Sequence, residues 1–299
     1  MMASPKAPIA PGALQQRERI ELEAPNAGQA SIRFIGAATV LIQVAGFTIL
    51  TDPAFIRKGE VARLGYGLRS MRLIDPALQP TDLPELDAVV LSHLHGDHFD
   101  RAAARGLPKT VPIVTTADGA ATLQRNGFGE ARGLHAWQST TFSQQEARLT
   151  VTALPGSHAY GPLGALLPPV MGSLLDFEAP AGERLLRLYI TGDTLVRDDL
   201  REIPARYPDI DIMLPHLGGT RLLNLFLATM DAAQGVELMR LIPSNTVIPI
   251  HYNDFTVYKS PLEDFRRAVI AAGMHERVRY LSHGQTHTFS VPVHPTRHP

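Results

Sequence analysis

The sequence predicts an α/β (α+β) protein in which stacked sheets are covered by helices and carry a functional site along one edge. Three observations lead there. Short strand-like apolar runs alternate with helical segments. Several runs end in a histidine or an aspartate. One of those ends, after Ala88-Val89-Val90-Leu91, holds four strong metal ligands in six positions, His93-Leu94-His95-Gly96-Asp97-His98. Open sheets with covering helices carry their sites at strand ends.

The elements justify this in order. Ser31–Gly36 alternates as a half-buried strand, and 39–44 and 47–51 follow as antiparallel neighbours. Pro53 stops the third run just after Asp52. Residues 99–105 read as a helix behind the ligand string, and 117–126 as another that Gly127 closes. The runs 149–154, 186–190 and 246–250 deliver His158, Asp193 and His251 respectively. Between them, 231–241 is helical, with Thr229 or Asp231 as its N-cap. The helix 260–270 has Ser260 as cap, Pro261 in the first turn, Glu263 and Asp264 at the positive end of the dipole, and Gly273 as stop. No repeat of solenoid period and no low-complexity tract occurs.

The 299 residues are 44% hydrophobic and 19% charged, an ordinary globular composition with ample material for a core. The expected organisation is a flexible N-terminal arm over 1–28, one domain over 29–290 and a C-terminal tail over 291–299. Net charge is -1, from 28 basic and 29 acidic residues, so no basic field favours nucleic acid or an anionic membrane. The absence of cysteine excludes disulfides, thiolate nucleophiles and Cys-type zinc sites. No apolar run is long enough to span a bilayer, and the N-terminal residues lack a signal-type apolar stretch. A cytoplasmic location and a small-molecule substrate are expected. A homo-oligomer remains compatible with the chain, and its state is not legible.

The ligand string has a physical reading. Imidazole nitrogen and carboxylate oxygen suit zinc and similar divalent ions. On an extended backbone side chains repeat every two residues, so His93, His95 and Asp97 project to one side. His98 points elsewhere, or joins them if a helix starts there. Gly96 permits the tight turn. The string therefore divides its ligands between two neighbouring metal positions. The later residues are ordinary on their own: His158 reads as a loop histidine, Asp193 as a turn aspartate and His251 as a core histidine.

The string, followed in order by His158, Thr191-Gly192-Asp193-Thr194 and His251, with Thr51-Asp52-Pro53 upstream, resembles the metallo-β-lactamase-fold hydrolases over residues 30 to 290. Leu214-Pro215-His216-Leu217-Gly218-Gly219 and 247–255 resemble the branch that includes ascorbate-6-phosphate lactonases and N-acyl-phosphatidylethanolamine phospholipase D. The resemblance implies a four-layer αββα sandwich and two divalent ions, Zn2+ first, with Mn2+ or Fe2+ as alternatives. It implies that His93, His95 and His158 hold the first ion, that Asp97, His98 and His251 hold the second, and that Asp193 bridges them. An open position on each ion marks a catalytic rather than a structural site.

The expected reaction is hydrolysis of an ester, lactone, amide or phosphodiester bond, with lactonase or phosphodiesterase chemistry leading. The nucleophile is a hydroxide between the ions, since metal coordination lowers the pKa of water to about 7. Asp97 is expected to accept or relay the proton. Asp52 is a candidate to orient a ligating histidine from behind, and Thr194 to hydrogen-bond Asp193. Tyr160, His216 and Tyr252 are candidates to bind substrate, with His216 and Tyr252 also able to polarise a carbonyl or protonate a leaving group. The apolar stretch 161–171 reads as a wall or lid over the ions, and 222–227 as a similar surface or a subunit interface. The competing readings are an iron-dependent oxidoreductase of dioxygenase type, a nuclease of this fold and a non-catalytic metal-binding module. Diiron flavoprotein relatives carry a carboxylate where His95 stands, which argues against them. The charge balance argues against a nuclease.

Overall fold

Alternating side chains set the layers. In the computed structural model, which describes residues 28–65, 67–144, 147–161, 167–222 and 226–291, the strands in chain order begin with β1 Gln29–Gly36, β2 Thr39–Val44, β3 Phe47–Thr51, β4 Val61–Arg63, β5 Arg69–Met71, β6 Ala88–Val90, β7 Ile113–Thr116 and β8 Ala131–Leu134. They continue with β9 Ser139–Ser143, β10 Arg148–Leu154, β11 Gly172–Glu178, β12 Arg184–Ile190, β13 Ile210–Leu214, β14 Arg221–Leu222, β15 Phe226–Leu227, β16 Ser244–Val247 and β17 Thr286–Ser290. The helices are α1 Arg101–Gly106, α2 Ala117–Arg125, α3 Glu202–Arg206, α4 Ala232–Leu241 and α5 Leu262–Ala271.

One sheet has seven strands in the order β17-β1-β2-β3-β6-β7-β8, and the other six in the order β16-β13-β12-β11-β10-β9. On their facing sides Ile32, Ile42, Ile49 and Val90 of the first pack with Leu149, Leu175, Leu188 and Leu214 of the second in one core. The alternate residues Leu41, Leu50 and Val89 face outwards and pack with Ala103 of α1 and Ala120 and Leu123 of α2. On the far side Leu174, Tyr189 and Met213 pack with Val236 and Met239 of α4 and Phe265 and Val269 of α5. Four layers result, helix–sheet–sheet–helix, the αββα order that the resemblance implied. Each fully buried Ile, Leu, Val or Phe contributes roughly 1.5–3 kcal/mol relative to exposure. Along β1, Ile32 and Phe34 face the other sheet and Ile35 faces outwards, as alternation requires.

Strand direction creates the site. β3 and β6 run parallel, as do β12, β13 and β16. β10 is antiparallel to β11, which is antiparallel to β12, so β10 also runs with β12. The C-terminal ends that lead to Asp52, His93, His158, Asp193, His216 and His251 are thereby gathered at one rim.

Several expectations about elements need adjustment. Asp231, not Thr229, caps α4, accepting from the Gln234 N–H at 3.1 Å. Ser260 does not cap α5; Pro261 occupies that position, and Ser260 Oγ accepts from the Ala232 N–H instead, tying α5 to α4. The strand expected over 246–250 is β16, which ends at Val247, and Ile248 to Ile250 continue beyond it to a single bridge between Ile250 and His216. Outside the sheets, β4–β5 and β14–β15 are two-stranded hairpins. The arm over 1–28 and the tail over 291–299 lie outside the described residues apart from Gly28 and Val291, where the Val291 N–H donates to the Gly28 carbonyl at 3.0 Å. No helix among the described residues is long and apolar enough to cross a membrane.

Candidate metal centre

The ligand string is held on both sides by backbone. The His98 and Phe99 N–H groups donate to the His95 carbonyl at 3.0 and 2.8 Å, which curls the chain immediately before α1. Asp100 caps that helix through the Ala102 and Ala103 N–H groups and also accepts from Phe55 and Ile56. The Gly96 N–H donates to the Arg63 carbonyl at 2.8 Å, and a side chain at Gly96 would stand 2.7 Å from that oxygen. The β4–β5 hairpin thus lies directly on the string. From the other sheet, the Met171 N–H donates to the Ser92 carbonyl at 3.0 Å.

Two groups of donors result. His93, His95 and His158 offer one ligand atom each within 4.8 Å of one another, and so do Asp97, His98, Asp193 and His251. Asp193 touches both groups: Oδ2 is 3.9 Å from His93 Nε2 and 3.1 Å from His98 Nε2, while Oδ1 is 3.4 Å from His251 Nδ1. All seven side chains are buried except His95, which is half-buried.

The donors fit divalent ions on a separate ground. Buried polar atoms normally find partners, because an unpaired one costs about 1–3 kcal/mol. Here His95 Nε2, Asp97 Oδ1, His98 Nε2, His158 Nε2, Asp193 Oδ1 and His251 Nε2 are all buried without a hydrogen bond, and all six belong to these two groups. The opposite nitrogens are occupied. His158 Nδ1 donates to the Ala228 carbonyl at 3.3 Å and His251 Nδ1 to the Leu217 carbonyl at 2.9 Å, which leaves each Nε2 as an acceptor directed inwards.

Electrostatics divides the groups. Burial, with His98 and His95 beside it, pushes His93 well below the usual imidazole range. Burial also lowers His95, to about 4. Burial alone would depress His98 too, but Asp193, Asp97 and Asp52 outweigh it and raise it well above that range. Burial would lift the Asp193 carboxyl, yet His251 and His98 hold it well below the usual carboxylate range. The second group is therefore the carboxylate-rich one.

Asp52 supports the cluster from behind, at a backbone φ of 35° that few non-glycine residues adopt. Its Oδ1 accepts from the Ser92 N–H at 2.6 Å and its Oδ2 from the Ser92 hydroxyl at 3.0 Å. Oδ2 also stands 3.2 Å from His98 Nδ1 and 3.1 Å from His216 Nε2. Burial opposes ionisation of Asp52, but His98 and His216 bring its pKa down to about 2. Asp52, His98 and His216 also lie within 4.8 Å of one another, but their facing atoms satisfy each other.

Other expected positions move. His216 is fully buried with both ring nitrogens partnered, Nε2 to Asp52 and Nδ1 to Thr191 Oγ1 at 3.2 Å, so it stands behind His98 rather than facing a substrate. Tyr252 faces the core between the sheets, stacked on Phe34 at 5.8 Å with its hydroxyl donating to the Leu281 carbonyl. Tyr160 is 53% exposed and lines a separate groove with Arg197, Glu237 and Arg240, its hydroxyl donating to the Val196 carbonyl. Thr194 does not bond Asp193; its hydroxyl accepts from the Ser157 N–H at 3.0 Å and so fixes the loop that carries His158.

Sequence reading missed Ser92 and Tyr258. The Tyr258 hydroxyl donates to Asp97 Oδ2 at 3.2 Å, and its ring lies 4.4 Å from that of His251. Burial and the nearby Asp97 hold this phenol well above its usual pKa. Its seven-residue separation from His251 crosses a turn, where no periodicity relates the two. Ser92 was findable in principle as the residue between the buried run and His93.

The cavity in front of the donors is lined by His95, Asp97, His158 and Asp193 together with Leu64, Leu68, Leu167, Ala228, Thr220 and Thr229. Of the apolar stretches expected to wall the site, 162–166 and 223–225 lie outside the described residues. Leu167 reaches the cavity, Val170 and Met171 are buried, and Phe226 is 53% exposed.

A helix–sheet–sheet–helix sandwich with paired histidine and aspartate donors at the strand-end rim defines a metallo-β-lactamase-fold protein with a site able to hold metal. The chain belongs to the family described as the beta-lactamase superfamily domain, whose model matches residues 48–252. It is 28% identical to the UPF0173 protein YddR of Bacillus subtilis, over 87% of this chain and 100% of that one. It is also 28% identical to a UPF0173 metal-dependent hydrolase of Archaeoglobus fulgidus, over 73% and 91%. Among solved structures, a possible metal-dependent hydrolase from Veillonella parvula superposes with a TM-score of 0.72 at 22% identity, covering 87% of this chain and 99% of that one. An isothiocyanate hydrolase from Delia radicum gut bacteria gives 0.73 at 24% identity, covering 87% and 100%. These likenesses bear out the fold and the superfamily resemblance drawn from the sequence.

Proposed function

We propose that the chain is a metal-dependent hydrolase with two divalent ions that cleaves an ester, lactone or amide bond in a small, uncharged, largely apolar substrate. The observation that carries this is the pair of donor groups joined by Asp193, with six of their buried atoms lacking any hydrogen bond, beside a cavity with a leucine wall. The names of the UPF0173 relatives support the reaction class.

In this reading His93, His95 and His158 hold one ion, Asp97, His98 and His251 the other, and Asp193 lies between. Nitrogen and oxygen donors without thiolate suit Zn2+, with Mn2+ or Fe2+ as substitutes. Ions bound there supply Lewis acidity, activating water and polarising the scissile bond. The residues provide the rest. Asp97 lines the cavity with Oδ1 unpaired, the oxygen that would hold the second ion. Leu64, Leu68, Leu167 and Ala228 exclude bulk water and take up the apolar part of the substrate. No lysine or arginine is among the described residues lining the cavity, so an anionic substrate would meet no side-chain cation. This favours acyl bonds over the phosphodiester expected alongside them.

The test is a panel of lactones, aryl esters, N-acyl amides and bis(p-nitrophenyl) phosphate, assayed before and after chelation and with zinc restored. Turnover of an apolar acyl substrate that is lost and regained with metal is expected. Turnover that survives chelation contradicts metal dependence, and a preference for the phosphodiester contradicts the substrate class.

A further inference from the structure

The two oxygens of Asp97, a donor of the second group, are treated differently by a neighbour outside both groups. Oδ2 accepts the Tyr258 hydroxyl at 3.2 Å and lies 3.5 Å from His251 Nε2. Oδ1 is buried, has no hydrogen bond and stands 3.9 Å from His98 Nε2. The tyrosine is itself firmly seated. Its ring packs on that of His251 at 4.4 Å and edge-on to Phe255 at 5.6 Å. A side chain added at Gly218, where φ is +110°, would stand 3.3 Å from the Tyr258 ring, so the glycine admits the ring. The following residues Lys259 and Ser260 both donate backbone N–H to the Gly218 carbonyl, at 2.7 and 2.8 Å.

We infer that Tyr258 is a positioning residue for the second ion, its hydroxyl holding one Asp97 oxygen so that the other is presented to the metal, while its ring fixes the plane of His251. This rests on the two-ion reading above. Tyr258 thus acts on two donors of the carboxylate-rich group, Asp97 and His251. Among the described residues, its hydroxyl and ring contacts within the two groups are with Asp97 and His251, not with His93, His95 or His158. The consequence is asymmetric: loss of the hydroxyl weakens one ion and spares the other. Hydrogen-bonding partners of metal ligands typically carry 10–100-fold in metal affinity.

The experiment is equilibrium dialysis of the full chain against zinc buffered by a competing chelator, resolving two binding steps for the wild type and for Tyr258→Phe. Phenylalanine keeps the ring and its packing and removes only the donor. The expected result is one step weakened about 10–100-fold and the other unchanged. In an Asp97→Ala background Tyr258→Phe should add no further loss, because the carboxylate oxygen it serves is gone. A far-UV circular dichroism spectrum for metal-free Tyr258→Phe equal to that of the metal-free wild type is expected. Equal affinities for wild type and Tyr258→Phe overturn the positioning role alone. So does equal weakening of both steps, or a further loss in the Asp97→Ala background. A wild type that takes up one ion or none overturns the two-ion reading and the Tyr258 role with it.

Discussion

Asp52 Oδ2 stands 3.2 Å from His98 Nδ1, both residues buried, Asp52 at the end of β3 and His98 in the loop between β6 and α1. With an ion bound, the contact would keep the His98 proton on Nδ1 facing the carboxylate and leave Nε2, 3.1 Å from Asp193, to the ion. Asp52→Asn keeps the shape, and asparagine tolerates the φ of 35°, but it removes the charge. A fall of about 10–100-fold in zinc affinity is expected, read by chelator competition. An unchanged affinity would show that Asp52 serves the turn alone.

His95→Ala and Asp193→Ala each remove a donor at the cavity while leaving the strands intact. Turnover should fall by at least about three orders of magnitude in both, since activation of water and of the scissile bond depends on the ions they hold. Far-UV circular dichroism should remain that of the wild type. Asp193→Ala should also lower the affinity of both binding steps, because its oxygens approach residues of both groups. Full turnover in either variant refutes the donor assignment.

Gly96→Ala places a Cβ 2.7 Å from the Arg63 carbonyl oxygen and 2.8 Å from its nitrogen. Backbone atoms cannot rotate out of the way, so the β4–β5 hairpin must lift from the ligand string. A loss of about 1–3 kcal/mol in urea unfolding is expected. The value of kcat/KM should fall as well, because Leu64 and Leu68 travel with that hairpin. Wild-type values in both measurements would contradict the tight seating.

Arg72 is fully buried, its guanidinium donating to the Ala54 and Ile74 carbonyls and standing 3.6 Å from Asp254 Oδ1. Asp254 in turn accepts from the Ala37 N–H at 3.0 Å and pairs with His283 at 2.8 Å. Arg72→Ala strands the carboxylate in the interior. Breaking a buried pair costs about 3–5 kcal/mol, the loss expected in chemical denaturation. A loss under 1 kcal/mol would show that His283 and the Ala37 N–H suffice.

Much of this was legible in the chain. The alternation of 31–36, 39–44 and 47–51 pointed to strands, because it depends on local spacing, while the sandwich and the donor set came from the family resemblance carried by the ligand string and the ordered residues after it. Tyr252, Tyr160 and His216 were placed by their nearness in sequence to a ligand, which says nothing of where a ring turns. Tyr252 lies next to His251, yet the φ of 62° at His251 swings the chain so that the two rings part. Tyr258 comes back to the site only through the turn at 253–257, held by the Gly218 carbonyl from another strand end. Such non-local closure leaves no period to read. Ser260 shows the same limit: its cap pattern is local, but its hydroxyl is taken by α4.

The most direct measurement is anomalous diffraction at the zinc edge from crystals of the full chain prepared with zinc and without chelator. Two peaks per chain are expected, one among His93, His95 and His158 and one among Asp97, His98 and His251, with Asp193 adjoining both. A single peak, or zinc bound only away from these side chains, would contradict the two-ion centre.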